Sequence, residues 1–109
     1  MLELAQHPPR DVLPNRRRSE TMTFKVGDVV YVATVGYYED GRIGEVFLNG
    51  GKLSSAADIV ARDAAIAVSF ALQQGVTANR IRAAFMRDAN GEPQGPLGTL
   101  FDLLEGQDD

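Results

Sequence analysis

Cysteine is absent from the 109-residue chain, which excludes a disulfide framework, thiol redox chemistry, thiolate metal sites and a cysteine nucleophile. Histidine is nearly absent. The single one, His7, stands beside Pro8 and Pro9, so neither a structural nor a catalytic zinc site is expected. Without a second histidine, Ser54 and Ser69 have no evident general base for nucleophilic catalysis. Tryptophan is missing too, and alanine and glycine supply much of the bulk, which predicts thin layers with closely packed backbones. No apolar run is long enough to span a bilayer, and the start lacks a basic stretch followed by an apolar core. A cytoplasmic location and no membrane partner are therefore the expectation. A large excess of either charge is absent as well: 15 acids against 11 bases give a net charge of -4, which favours solubility and weakly opposes nonspecific nucleic-acid binding.

What is present describes one domain. The length suits a single core, and a 44% apolar share is ordinary for a globular chain. Residues 1–19 hold Pro8, Pro9, Pro14 and the block Arg16, Arg17, Arg18 without sustained periodicity. They read as a flexible or partner-docked basic arm. Residues 20–105 form a single α+β domain, and residues 106–109 an acidic tail ending in Asp108 and Asp109.

Hydrophobic periodicity supplies the elements. Met22, Phe24 and Val26 alternate with polar neighbours as in a half-buried strand, and Gly27-Asp28 offers a reversal. Val29 to Tyr38 is β-branched and aromatic, apolar on both faces, so the sheet is either covered or used for self-association. Glu39-Asp40-Gly41-Arg42 is a turn signal. In the strand from Ile43 to Leu48, strict alternation places Ile43, Glu45 and Phe47 on one face and Val46 and Leu48 on the other.

After Gly50-Gly51, Ser54 or Ser55 caps a helix to about Gln74, with Asp58 as a capping-box-like acid that pairs with Arg62 on the surface. Ile59, Ile66 and Phe70 are its expected larger knobs, and the helix is expected to lie across the sheet near the centre. Thr77 caps a second helix over 78–87, with Arg80, Arg82 and Arg87 mostly facing water. A short last helix carries the stripe Leu97, Leu100, Phe101 and Leu104. The fold class is α+β: a three-stranded antiparallel meander, two main helices and a short C-terminal helix.

Few motifs carry chemistry. Gly50, Gly51, Lys52, Ser54 and Ser55 stand before a helix and are an anion-binding candidate, but the full phosphate-loop spacing is missing, and a capped strand-to-helix connection explains the same residues. Glu39, Asp40 and Glu45 lie close in sequence without a paired geometry for acid–base work. Asp63 interrupts an apolar helix and is expected to serve as a structural hydrogen-bond partner for the arm or the sheet. Tyr31, Tyr37, Tyr38 and Phe47 near an arginine block could stack on bases, yet they are too few to define a nucleic-acid reader. No catalytic or metal-binding residue and no cofactor emerge.

Three stretches carry a resemblance. LPNRRRSE at Leu13–Glu20, TVGYYEDGRIGEVFL at Thr34–Leu48, and ARDAA at Ala61–Ala65 followed by ALQQGV at Ala71–Val76 together resemble the TSCPD domain. That domain occurs near the C-terminus of vitamin B12-dependent ribonucleotide reductases and in small stand-alone proteins. In those enzymes the radical and cobalamin chemistry belongs to a large barrel that this chain cannot contain. Cysteines near their C-termini are associated with re-reducing the catalytic site, and this chain has none. The resemblance implies inheritance of the fold without the reductase activity or the thiol relay.

The expectation is a noncatalytic accessory or protein-interaction domain. It would self-associate through its sheet or alanine-rich helix and meet a reductase-like or other protein partner. Arg16, Arg17 and Arg18 are the candidate contacts, with Tyr37, Tyr38 and Arg42 as the adjacent surface. The alternative is a regulator binding a nucleotide, phosphate or single-stranded nucleic acid at Gly50–Ser55.

Overall fold

In a computed structural model, residues 10–105 are described. His7, Pro8, Pro9, Asp108 and Asp109, with the start of the arm and the acidic tail, lie outside them. The order is β1 (Ser19–Val26), β2 (Val29–Tyr37), β3 (Ile43–Gly50), α1 (Ala56–Gln73), α2 (Ala78–Ala84) and α3 (Pro96–Glu105). The three strands form an antiparallel sheet in the order β1-β2-β3, and three helices follow it, the expected α+β arrangement. Short turns make this neighbour-to-neighbour topology the cheapest to form. Among the described residues no helix is long and apolar enough to cross a membrane.

The sheet differs from strict alternation at one place. Gly36 pairs with Glu45 but Tyr37 pairs with Ile43, so Gly44 is an extra residue on β3. This bulge flips the parity of the strand. Ile43 consequently points into the core beside Val46 and Leu48, at 5% exposure, instead of sharing the face of Glu45 and Phe47.

One face of the sheet carries the core: Tyr31, Ala33, Val35 and Tyr37 of β2 with Ile43, Val46 and Leu48 of β3. The short helix α3 closes it with Leu97, Leu100, Phe101 and Leu104, all buried. Helix α1 packs along β3 and contributes Ala61, Ala65 and Leu72. Its expected knobs face the other way, for Ile59, Ile66 and Phe70 are each more than half exposed. Small alanines let the helix axis approach β3, and the larger side chains on its flank are left in water.

Helix α2 ends at Ala84, earlier than its periodicity suggests, and Phe85 is already extended. Phe85 packs edge-on against Phe101, with ring centroids 5.6 Å apart. Arg80 faces water, whereas Arg82 and Arg87 converge on Asp102 at 2.8 and 2.7 Å, and Arg82 also reaches Glu105. The Arg87 hydrogen bonds, followed by those of Arg82, hold the Asp102 carboxyl down at a pKa of about 2. These cations tie the Phe85 segment to α3.

Candidate functional site

The described part of the arm lies against its own domain. Asp11 donates its N–H to the Gln73 carbonyl at the end of α1, and the Tyr38 hydroxyl donates to the Asp11 carbonyl at 2.6 Å. Burial, with the Asp11 carboxylate second, pushes the Tyr38 pKa up. Arg17 pairs with Glu45 at 2.6 Å, and the Arg18 carbonyl accepts from Tyr37 N–H. Glycines make room for this docking. A Cβ on Gly44 would fall 2.6 Å from Leu13 and 2.7 Å from the Tyr38 ring, and one on Gly36 would collide with the Glu45 carboxylate.

The six residues expected to contact a partner lie near one another on the domain. Tyr37 and Tyr38 are buried, at 4% and 9% exposure, and their rings are roofed by the guanidinium groups of Arg18 and Arg42 at 4.1 and 4.5 Å. The Tyr37 hydroxyl also donates to Glu20. Arg42 is held by Asp40 at 2.8 Å and by Asp11 at 3.3 Å, which raises its pKa, and its N–H and guanidinium lower that of Asp40. Arg16, Arg17, Arg18, Tyr37 and Tyr38 line a shallow hollow of about 400 Å³.

Around Gly50–Ser55 the structure supplies its own anion. Asp58, only 2% exposed, accepts from Gly50 N–H at 3.2 Å and from Ser54 N–H at 3.0 Å. Ser55, the N-cap of α1, accepts from Asp58 N–H. Gly51 and Ser55 donate to the carbonyls of Val30 and Lys52. The Ser54 N–H above all, then that of Gly50 and the charge of Arg62, keeps the Asp58 pKa below the usual carboxylate range. An external phosphate would meet a fixed negative charge where the positive end of the helix would otherwise attract it. Lys52 is exposed, and the anion-binding alternative is not favoured by this arrangement.

Asp58 is the buried acid, then, and its pairing with Arg62 is a loose 3.5 Å contact from inside the turn, not an exchange on an open helix surface. Asp63, expected to serve the arm or the sheet, is exposed, and its side chain makes no hydrogen bond among the described residues.

Further along α1, Ser69 accepts from Val46 N–H at 2.9 Å and donates to the Val46 carbonyl at 3.1 Å, and Gln73 donates to the Gly44 carbonyl. Asp58, Ser69 and Gln73 thus cap β3 at Gly50, Val46 and Gly44, positions its edge would otherwise present to another chain. These roles were missed in the sequence, although the spacing of 11 and 4 residues sets all three on one helical face.

Above this seam runs an open groove of about 510 Å³. Val46, Leu48, Ala65 and Ser69 form part of its lining, Phe47 stands on the β3 side, Ile66 and Phe70 on the α1 side, and Arg10 and Arg62 supply positive charge. Phe47, Ile66 and Phe70 are 55%, 56% and 56% exposed. Ile59 and Val60, nearer the start of the helix, are also exposed, at 51% and 67%. Among the described residues no group of three or more His, Asp or Glu is placed to hold a metal ion.

Comparison with known proteins decides the family. The model of the TSCPD domain matches residues 6–104, from the arm to the last helix. The chain belongs to the TSCPD domain family. A vitamin B12-dependent ribonucleotide reductase of Bradyrhizobium diazoefficiens is 36% identical over 88 residues, covering 81% of this chain and 7% of the reductase. A vitamin B12-dependent ribonucleotide reductase of Agrobacterium fabrum is 38% identical over 76 residues, covering 70% of this chain and 6% of that protein. The chain therefore spans only a small fraction of these curated relatives. No solved structure matches it. In this TSCPD domain, the Asp58 turn and the Arg17–Glu45 pair both fall inside the matched region.

Proposed function

We propose that this TSCPD domain is a noncatalytic accessory domain that acts by protein interaction, with a ribonucleotide reductase-like protein as its partner. One observation carries the reading: Phe47, Ile59, Val60, Ile66 and Phe70 stand in water on the side of α1 and β3 away from the core. Large apolar groups gathered on one side of a small domain are characteristic of interaction surfaces. The family relation supplies the kind of partner, because the relatives contain the matching region within much longer reductases.

The basic hollow around Arg16, Arg17 and Arg18 is a second contact within the same proposal, since Arg16 and Arg18 remain exposed at its rim. Self-association is the remaining part of it. Val30, Val32 and Phe47 are exposed large side chains on the sheet, suited to a second copy.

The purified full chain should form a complex with the vitamin B12-dependent ribonucleotide reductase of its own organism in light scattering coupled to gel filtration. Alone, it should convert no ribonucleotide when vitamin B12 cofactor and reductant are supplied. Turnover by the isolated chain would refute the noncatalytic reading. Separate elution at all concentrations would refute the reductase partner.

A further inference from the structure

We infer that the groove between β3 and α1 docks a short acidic and apolar segment of a partner protein. This rests on the protein-interaction function proposed above and names the chemistry of the partner. The groove's exposed large apolar side chains are Phe47 on one side and Ile66 and Phe70 on the other, which offer two apolar walls to a large apolar side chain. Its charge is the second observation. In a chain of net charge -4, this groove is locally cationic. Arg10 and Arg62 line it, Arg62 with only a loose 3.5 Å contact to the buried Asp58, while the one lining acid among the described residues, Glu45, is paired at 2.6 Å with Arg17. Carboxylates flanking an apolar residue would therefore find arginine partners, and lysines there would be repelled.

The lining favours side-chain capture over strand addition. Ser69 and Gln73 already take the backbone edge of β3, and Val46 and Leu48 are 2% and 1% exposed. With Gly44, Val46 and Gly50 already capped, an incoming segment has no continuous strand edge to extend there. Recognition falls to the apolar walls and the two guanidinium groups. Asn49 and Gln73 supply polar groups at the margins.

The test uses the full chain and a fluorescein-labelled peptide of sequence Asp-Glu-Leu-Phe-Leu-Glu-Asp, followed by fluorescence anisotropy. Saturable binding is expected, weakened at least about tenfold by Phe70→Asp or by Arg62→Glu, and unchanged by Arg80→Glu, at an exposed arginine on α2. A peptide with lysine in place of its acids should bind at least about tenfold more weakly. Circular dichroism of each variant separates lost binding from lost folding, and Ile66→Asp provides an independent wall variant. Absence of saturation up to about 1 mM peptide, on the affinity scale of weak complexes, would overturn the inference. So would binding that ignores Phe70→Asp and Ile66→Asp in folded protein.

Displacement of the labelled peptide by an equal concentration of a peptide spanning Met1–Pro9 would reassign the groove to this chain. A dimer abolished by Phe70→Asp would reassign it to a second copy. Either result overturns the partner assignment. A reductase complex that survives Phe70→Asp would overturn the groove while leaving the accessory function standing.

Discussion

Ser69 makes two hydrogen bonds with one residue, accepting the N–H of Val46 and donating to its carbonyl, so a single hydroxyl closes one position on the edge of β3. Val46 is 2% exposed, and water cannot readily replace the lost partner. Replacing Ser69 by Ala should cost about 1–3 kcal/mol, the penalty for leaving buried backbone groups unpaired. Urea unfolding measures the loss. Ser69→Thr, which keeps the hydroxyl, should lose less.

Asp58 fills the turn before α1 as an internal anion, with Ser54 and Gly50 as donors. Asp58→Ala removes both acceptor bonds and should lower the thermal midpoint by roughly 10 °C. Asp58→Asn leaves one acceptor oxygen, and its midpoint should fall between the two. Added phosphate should not stabilise the wild-type protein, because the donors are already used. A phosphate-dependent rise in the wild-type midpoint would contradict this account of the turn.

Docking of the arm depends on space at two glycines. A Cβ at Gly44 would collide with Leu13 and Tyr38, and Gly44→Ala should destabilise by about 1–3 kcal/mol through overpacking. Glu45→Ala removes the partner of Arg17 while leaving the core side of β3 intact. Limited trypsin digestion at Arg16, Arg17 and Arg18 should then run several-fold faster than in the wild type. Equal rates would show that this ion pair does not hold the arm.

Asp102 gives the protein an acid limb. Its folded pKa of about 2 lies below its ordinary value of 3.8, so the folded state favours the carboxylate. The stability contributed is present above about pH 4 and is lost as the pH falls through about 2. Asp58 and Asp40 are shifted in the same direction and add to the same limb. Asp102→Asn should be less stable than the wild type at pH 7, and the difference should shrink toward zero near pH 2. Urea midpoints across that range measure it.

Much of the fold was legible because its signals are local. Alternation in Met22–Val26, the Asp40-Gly41 turn, the Ser55 cap and the Leu97–Leu104 stripe each depend on neighbours in sequence. The face of Ile43 was not legible, since one extra residue at Gly44 reverses it and glycine marks a bulge only in the context of its partner strand. The direction of α1 was not legible either. Its alanines and its larger residues both form apolar stripes, and only close packing on β3 decides that the alanines go inward. The candidate site suffered from the same limit. Tyr37 and Tyr38 do lie beside the arginines, but as covered rings beneath Arg18 and Arg42. Asp58 was recognised as a cap, but its reach back to Gly50 spans a turn whose geometry includes a left-handed Ser54 at φ 63°.

The central claim is that this TSCPD domain works by binding a protein through the exposed side of α1 and β3. Amide resonances of the isotopically labelled full chain, recorded during titration with the vitamin B12-dependent ribonucleotide reductase of the same organism, test it most directly. Signals of Phe47, Arg62, Ile66 and Phe70 should shift or broaden first, with smaller changes at Arg16 and Arg18. Changes confined to Gly50–Ser55, or a spectrum unaltered by excess reductase, would contradict it.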